Sequence, residues 1–187
     1  MHPSFDDVVA RLLAAVEDSV VVFLEGTGSA WAAAFRARLA DAPGLAADRV
    51  VVLPRLASGD YGALMSLATA VLDTHPYSGF TTSIEALSCE PPVPVVARRA
   101  RTVRGCQTAA LYAAMGGAPG GGLVARSADE YVAAAAALAR NASHRGEVVD
   151  SIGRARARLF GDAAAGAGWA RFLRRAVALA ASVRDVE

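Results

Sequence analysis

Apolar positions along this chain change their period again and again, and each change marks the edge of a predicted element. Phe5, Val8, Val9, Leu12, Leu13 and Val16 recur at helical spacing behind Pro3-Ser4, which predicts a helix over 5–17. Val20-Val21-Val22-Phe23-Leu24 is a short β-branched run stopped by Gly26, a buried strand. A helix over 29–40 carries Trp31, Phe35 and Leu39 on one face. The run 49–54 is the next strand, 60–68 a helix, 70–72 a strand, 81–88 a helix and 93–96 a strand. Beyond it come a helix over about 103–115, a brief apolar segment at Leu123-Val124, and helices over 127–140, 144–159 and 165–183.

The strands are apolar throughout rather than alternating, and helices separate them. That combination predicts a parallel sheet covered on both faces, with right-handed crossovers building a doubly wound, Rossmann-like α/β domain. We place this domain over 1–160, with 161–187 as a C-terminal helix that packs back on the domain or on a partner half. Ligands of such sheets bind at the carboxyl ends of the strands, so the loops at 25–29, 54–60, 73–81 and 97–104 are the ones to watch. Gly26-Thr27-Gly28 resembles the start of a dinucleotide fingerprint, but Trp31 stands where the third glycine belongs and no acidic residue ends the next strand. The glycine-rich loop around Pro119 follows a helix, not a strand, which argues against a phosphate loop there.

Composition narrows the function classes. The 187 residues are 54% hydrophobic and 20% charged, with a net charge of +1, which favours neither nucleic acid nor a membrane surface as partner. All 19 basic residues are arginine, so no lysine of this chain serves as base, Schiff-base former or phosphate clamp. Cys89 and Cys106 lack metal or CxxC spacing and read as core thiols, which fits a reducing, cytoplasmic setting. No apolar run reaches transmembrane length, and Asp6, Asp7 and Arg11 break the N-terminal pattern that a signal peptide would need; the Asn141-Ala-Ser143 sequon then predicts no glycan. His2, His75 and His144 share no catalytic or metal-binding spacing, and we assign no catalytic residue, metal or cofactor.

The stretch from Leu72 to Leu87 carries the most chemistry. A strand ends in Asp73, a Pro/Gly loop follows through Gly79 and Phe80, and a helix opens with Thr81-Thr82. A helix N-terminus has unpaired backbone N–H groups and a partial positive charge that suit a phosphate. Two hydroxyls add donors, and Glu85 lies one turn deeper on the same face, where it suits a ribose diol. On local pattern alone, a capped helix in an ordinary α/β domain fits as well. Arg98, Arg99, Arg101 and Arg104 follow a strand at the same end of the sheet and either steer a diphosphate or form a solvated loop. Arg154, Arg156 and Arg158 read as an exposed helix face, His75 as an exposed loop residue, and Trp31 and Trp169 as core.

The order of segments resembles the C-terminal, donor-binding half of the O-linked N-acetylglucosamine transferases, glycosyltransferases with two Rossmann-like domains. The likeness runs from His2-Pro3-Ser4-Phe5-Asp6 through Arg49-Val50-Val51-Val52-Leu53-Pro54-Arg55 and Leu72-Asp73 to Asp129-Glu130-Tyr131, and includes 108–116 and Leu159-Phe160. It implies that Thr81 and Thr82, behind Gly79 and Phe80, hold the diphosphate of a UDP-sugar. It further implies Glu85 on the uridine ribose, Tyr61 near the uracil ring and backbone groups of Leu56 at the base edge. The implied reaction transfers N-acetylglucosamine or a similar sugar to Ser or Thr of an acceptor protein, without metal.

Several positions depart from the family. Its phosphate-contacting lysine would fall just before Met1, Phe80 replaces a histidine, Glu85 replaces an aspartate, and Cys106 stands in place of a frequent arginine. The acceptor-binding half is not part of this sequence, so the resemblance implies an active site completed by an N-terminal half from a longer chain. The alternative is a catalytically inactive nucleotide-binding or protein-interaction module that kept the fold.

Overall fold

A computed structural model describes residues 2–26, 29–117 and 122–184; the side chains of 29–32 and 182–184 lie outside the description. Readings that rest on Thr27, Gly28, the Trp31 side chain or 118–121 therefore fall outside the described residues. The elements run in the order α1 (Ser4–Ala15), β1 (Val21–Leu24), α2 (Ser29–Ala40), β2 (Val50–Leu53), α3 (Ser58–Leu67), β3 (Val71–Leu72) and α4 (Thr81–Ser88). They continue with β4 (Val95–Arg98), α5 (Gln107–Ala114), β5 (Val124–Ala125), α6 (Ala128–Arg140), α7 (Ala142–Ala155) and α8 (Ala163–Arg184).

Every strand pairing is parallel, as the apolar runs predict. Among the described residues the pairs form two groups, β1 with β2 and β3-β4-β5. The register sets Val21 against Val50 in the first group, and Val71 against Val95 and Ala97 against Val124 in the second. β4 starts two residues later than its apolar run because Pro91, Pro92 and Pro94 cannot donate to a ladder; the Pro94 carbonyl still accepts the Val71 N–H at 2.8 Å. The predicted helix over 103–115 divides into a 3-10 turn at Val103–Gly105 and α5, and the helix over 144–159 into α7 and a 3-10 turn at Arg156–Leu159.

The core lies around β4. Val95 and Val96 are fully buried between Val9 and Leu13 of α1, Leu87 of α4, Leu138 of α6, and Val148 and Ile152 of α7. Tyr112 and Tyr131 bring hydroxyls into this core and satisfy them: Tyr112 donates to the Val95 carbonyl (2.9 Å), and Tyr131 to the Asp73 carbonyl (3.0 Å). Helix starts follow capping chemistry. The Ser127 hydroxyl accepts the Glu130 N–H, and the Asn141 side chain accepts the His144 N–H, which gives the sequon asparagine a structural task. Arg38 joins α2 to α1 through a two-pronged contact with Asp6 (2.7 and 3.2 Å).

Two expectations from the pattern do not hold. In the arginine series, Arg154 and Arg158 are exposed as the pattern predicts, but Arg156, in the 3-10 turn, is half-buried. Arg156 donates to the Cys89 carbonyl at 2.6 Å, behind the end of α4, and pairs with Glu90; Arg158 donates to the Met115 carbonyl at 2.9 Å, behind the end of α5. Cations at helix carboxyl ends satisfy open carbonyls and the negative end of the dipole. Trp169 is not core: it is 65% exposed on α8, edge-on to Phe172 at 5.7 Å, and no described side chain of α8 is buried. Helical period alone gives an apolar stripe, not what covers it.

Candidate functional site

The loop between β3 and α4 is built from inside. Asp73, at the end of β3, is buried; its carboxylate accepts the Gly79 N–H at 2.6 Å and the Ser78 hydroxyl at 2.5 Å. The Thr108 N–H of α5 donates to Ser78 Oγ at 3.1 Å. The Ser83 and Thr108 hydroxyls lie 2.7 Å apart and both reach the Gly79 carbonyl, at 3.1 and 3.0 Å. Burial pushes the Asp73 carboxyl above its usual range, and the bonds from Ser78, Gly79, Thr108 and Thr74 oppose that rise. This network ties β3, the loop, the first turn of α4 and the start of α5 into one unit. A Cβ at Gly79 would lie 2.5 Å from Thr82 Oγ1, so any larger residue there would push the Thr82 hydroxyl aside.

The predicted helix at Thr81–Ser88 is observed residue for residue. Ser83, Ala86 and Leu87 face inward. Thr81 and Thr82 face solvent, and Phe80, at the cap position and 49% exposed, offers no side-chain cap. The first amides of α4 and two hydroxyls are thus presented outward on a fixed support.

A cleft of about 730 Å³ opens at the carboxyl ends of β1 and β2, between α3 and α4. Leu56, Tyr61 and Glu85 all line it, beside Gly26, Arg55 and Cys89. Thr81, Thr82, Gly79 and Phe80 do not line it; they stand at the N-terminal end of the same helix α4 that supplies Glu85. Tyr61 is half-buried, and its phenol is pushed up to about 12, first by burial, then by the charge of the nearby Glu85 carboxylate. Sequence reasoning missed Arg55 and Cys89 as cleft residues, and Ser78, Ser83 and Thr108 as supports of the helix start. The rule that strand ends face the ligand pointed to Arg55; a lone hydroxyl in a helix carries no such signal.

His75 is not the exposed loop residue that its neighbours in sequence suggest. It is half-buried, its Nδ1 is buried without a hydrogen-bond partner, and its pKa is held below the usual value by burial, then by the charges of Arg98 and His2. Among the described residues no group of three or more His, Cys, Asp or Glu side chains is placed to hold a metal ion. No described helix is long and apolar enough to cross a membrane.

No protein-family model matches the chain, and no curated protein does. Solved structures do. A mutant of the Thermobaculum terrenum O-GlcNAc transferase superposes with a TM-score of 0.74 at 26% identity, over 87% of this chain and 31% of that one. The chain therefore spans about a third of the length of the enzyme it matches. Both have parallel sheets in an α/β arrangement. The resemblance read from the sequence holds in three dimensions: the chain has the fold of a portion of an O-GlcNAc transferase, a glycosyltransferase of the GT-B type.

Proposed function

We propose that the chain is the UDP-sugar-binding part of a protein O-glycosyltransferase that transfers N-acetylglucosamine or a similar sugar to Ser or Thr in the cytoplasm. One observation carries this reading. Leu56, Tyr61 and Glu85 share a cleft at the strand ends, and the helix that holds Glu85 begins with the outward-facing Thr81-Thr82 pair. The diphosphate lies on the first amides and hydroxyls of α4, where the helix dipole favours negative charge. The Glu85 carboxylate accepts from the ribose hydroxyls, the Tyr61 ring stacks on the uracil, and backbone groups of Leu56 meet the base edge. Charge that develops on the diphosphate as the sugar leaves meets the same N–H groups, which is the electrostatic part of the catalysis. The hydroxyl acceptor and the rest of the catalytic machinery come from an N-terminal half in a longer chain, and this part alone is not active.

The second reading, an inactive nucleotide-binding or interaction module, is favoured by the Tyr61 phenol beside Glu85, which competes for the carboxylate meant for the ribose. Calorimetric titration with UDP separates the proposal from an interaction module that has no nucleotide site. The proposal expects binding that weakens at least tenfold in the Thr81→Ala/Thr82→Ala double variant, in line with about 1.5–3 kcal/mol for a hydrogen bond to a charged group. Absence of heat at millimolar UDP overturns it.

A further inference from the structure

The loop after β4 carries four arginines, Arg98, Arg99, Arg101 and Arg104, and among the described residues none of their guanidinium groups has a carboxylate within 4.0 Å or a hydrogen-bonded carbonyl. Elsewhere arginines are put to use: Arg11, Arg36, Arg38 and Arg156 in ion pairs, and Arg49, Arg140, Arg145 and Arg158 on backbone carbonyls. Arg171, Arg174 and Arg175 also lack such a partner among the described residues, but they lie on α8, which has no buried side chain among those described, whereas the four here follow the carboxyl end of β4. Four cations within seven consecutive positions repel one another; water and salt screen much of that repulsion, and an anion bound among them would relieve it further.

The backbone fixes where this charge sits. The Arg104 carbonyl accepts the Ser78 N–H at 2.9 Å, and Gly105 packs so tightly on the loop that a Cβ would lie 2.7 Å from the Pro76 carbonyl. The basic loop is thus clamped to the segment that delivers Thr81 and Thr82. The parallel register, with Leu72 opposite Val96, puts Arg98 at the strand end beside the start of that segment. His75 lies there too, with its unpartnered buried Nδ1 and close enough to Arg98 to feel its charge. The nearest buried acid, Asp73, is turned inward onto Ser78 and Gly79 and does not neutralise the loop.

We propose that Arg98 and Arg104 form the cationic wall of an anion site whose other wall is the α4 N-terminus, with His75 as an adjoining hydrogen-bonding group, and that its ligand is the diphosphate of a nucleoside diphosphate. The inference rests on the donor-site reading and deepens it: in a chain without lysine, arginines supply the positive charge that a diphosphate needs. Guanidinium groups suit this task because they bind phosphate oxygens in pairs and stay charged at every relevant pH.

The test is calorimetry on the full chain with UDP, uridine and inorganic pyrophosphate, using Arg98→Gln/Arg104→Gln and, as an equal loss of charge elsewhere, Arg171→Gln/Arg175→Gln on α8. Circular dichroism establishes that each variant is folded. The expected result is a loss of at least ~10-fold in affinity for UDP and pyrophosphate in the first variant only, with uridine unaffected, and a wild-type UDP affinity that falls with added salt more steeply than that of the variant. UDP binding that is equally tight in Arg98→Gln/Arg104→Gln overturns this inference and leaves the donor-site reading intact. Equal losses in the α8 variant also overturn it, since bulk charge then accounts for the effect. Arginine-dependent binding of pyrophosphate without binding of UDP overturns the nucleoside diphosphate as ligand, and the donor-site reading with it. Failure of the wild type to bind either one overturns both.

Discussion

The region around β4 and the region around β2 are made of the same kind of strand, yet they are packed in opposite ways. Val95, Val96 and Ala97 of β4 are at most 1% exposed, whereas all four residues of β2 remain half-exposed and Val22 of β1 is 39% exposed. The sequences do not foretell this, since Val-Val-Val-Leu is if anything more apolar than Val-Val-Ala-Arg. The difference comes from cover. Helices α1, α4, α5, α6 and α7 all contribute buried residues to the core around β4, and the alanines of α6 let that helix approach closely. An open cleft adjoins the carboxyl ends of β1 and β2. Stability and binding are thereby separated. The tight half is a scaffold, the loose half holds the cleft, and α4 serves both, with Ala86 and Leu87 in the core and Glu85 at the cleft.

The separation is open to direct attack by substitution. Leu138→Ala, in the fully buried half, is expected to cost about 2–5 kcal/mol in urea denaturation followed by circular dichroism. Val52→Ala in β2, where part of the side chain already meets water, is expected to cost about 1 kcal/mol or less. Equal losses at the two sites would break the comparison. A second pair sharpens it with polar groups. Thr108→Val keeps the shape but leaves Ser83 and the Gly79 carbonyl short of a partner, at a cost of about 1–3 kcal/mol. Tyr61→Phe removes a hydroxyl whose neighbour, Glu85, is exposed and can turn to water, so stability should change by roughly 0.5 kcal/mol or less. A Tyr61→Phe loss as large as that of Thr108→Val would mean that the cleft wall is part of the scaffold.

What was legible in the sequence divides along the same line. The helix at Thr81–Ser88 could be read to the residue, because Gly79, a threonine pair and a short apolar spacing are all local signals. The meeting of Leu56, Tyr61 and Glu85 in one cleft followed from the strand-end rule and the family resemblance together. The supports of that site were hidden. Ser78 and Ser83 meet Thr108 across 30 and 25 positions, and no period or spacing links a hydroxyl to a partner so far along the chain. Arg156 misled for a related reason: an alternating arginine series has the look of a solvated face, and Arg154 and Arg158 keep to it, but Arg156, in the 3-10 turn, reaches the carbonyls behind α4. Trp169 shows the limit in the other direction, an apolar stripe with no cover among the described residues.

The smallest expected effect tests how the scaffold half tolerates a carboxylate at its centre. Asp73 titrates above its ordinary 3.8 in the folded chain because burial outweighs the hydrogen bonds that favour its charged form. A folded-state value above the unfolded one means that the native chain binds the proton more tightly. Stability is therefore greatest with Asp73 protonated and falls as pH rises from 3.8 through the folded-state value. Asp73→Asn removes this titration and nothing else that ionises. The quantity to follow is the unfolding free energy of the wild type minus that of Asp73→Asn, measured by urea denaturation from acid to neutral pH. It should shrink as pH rises. If it grows instead, the bonds from Ser78 and Gly79 outweigh desolvation. The loop before Thr81 is then held by a charged carboxylate, and the contrast between a dry scaffold and a polar cleft fails at the residue where the two halves join.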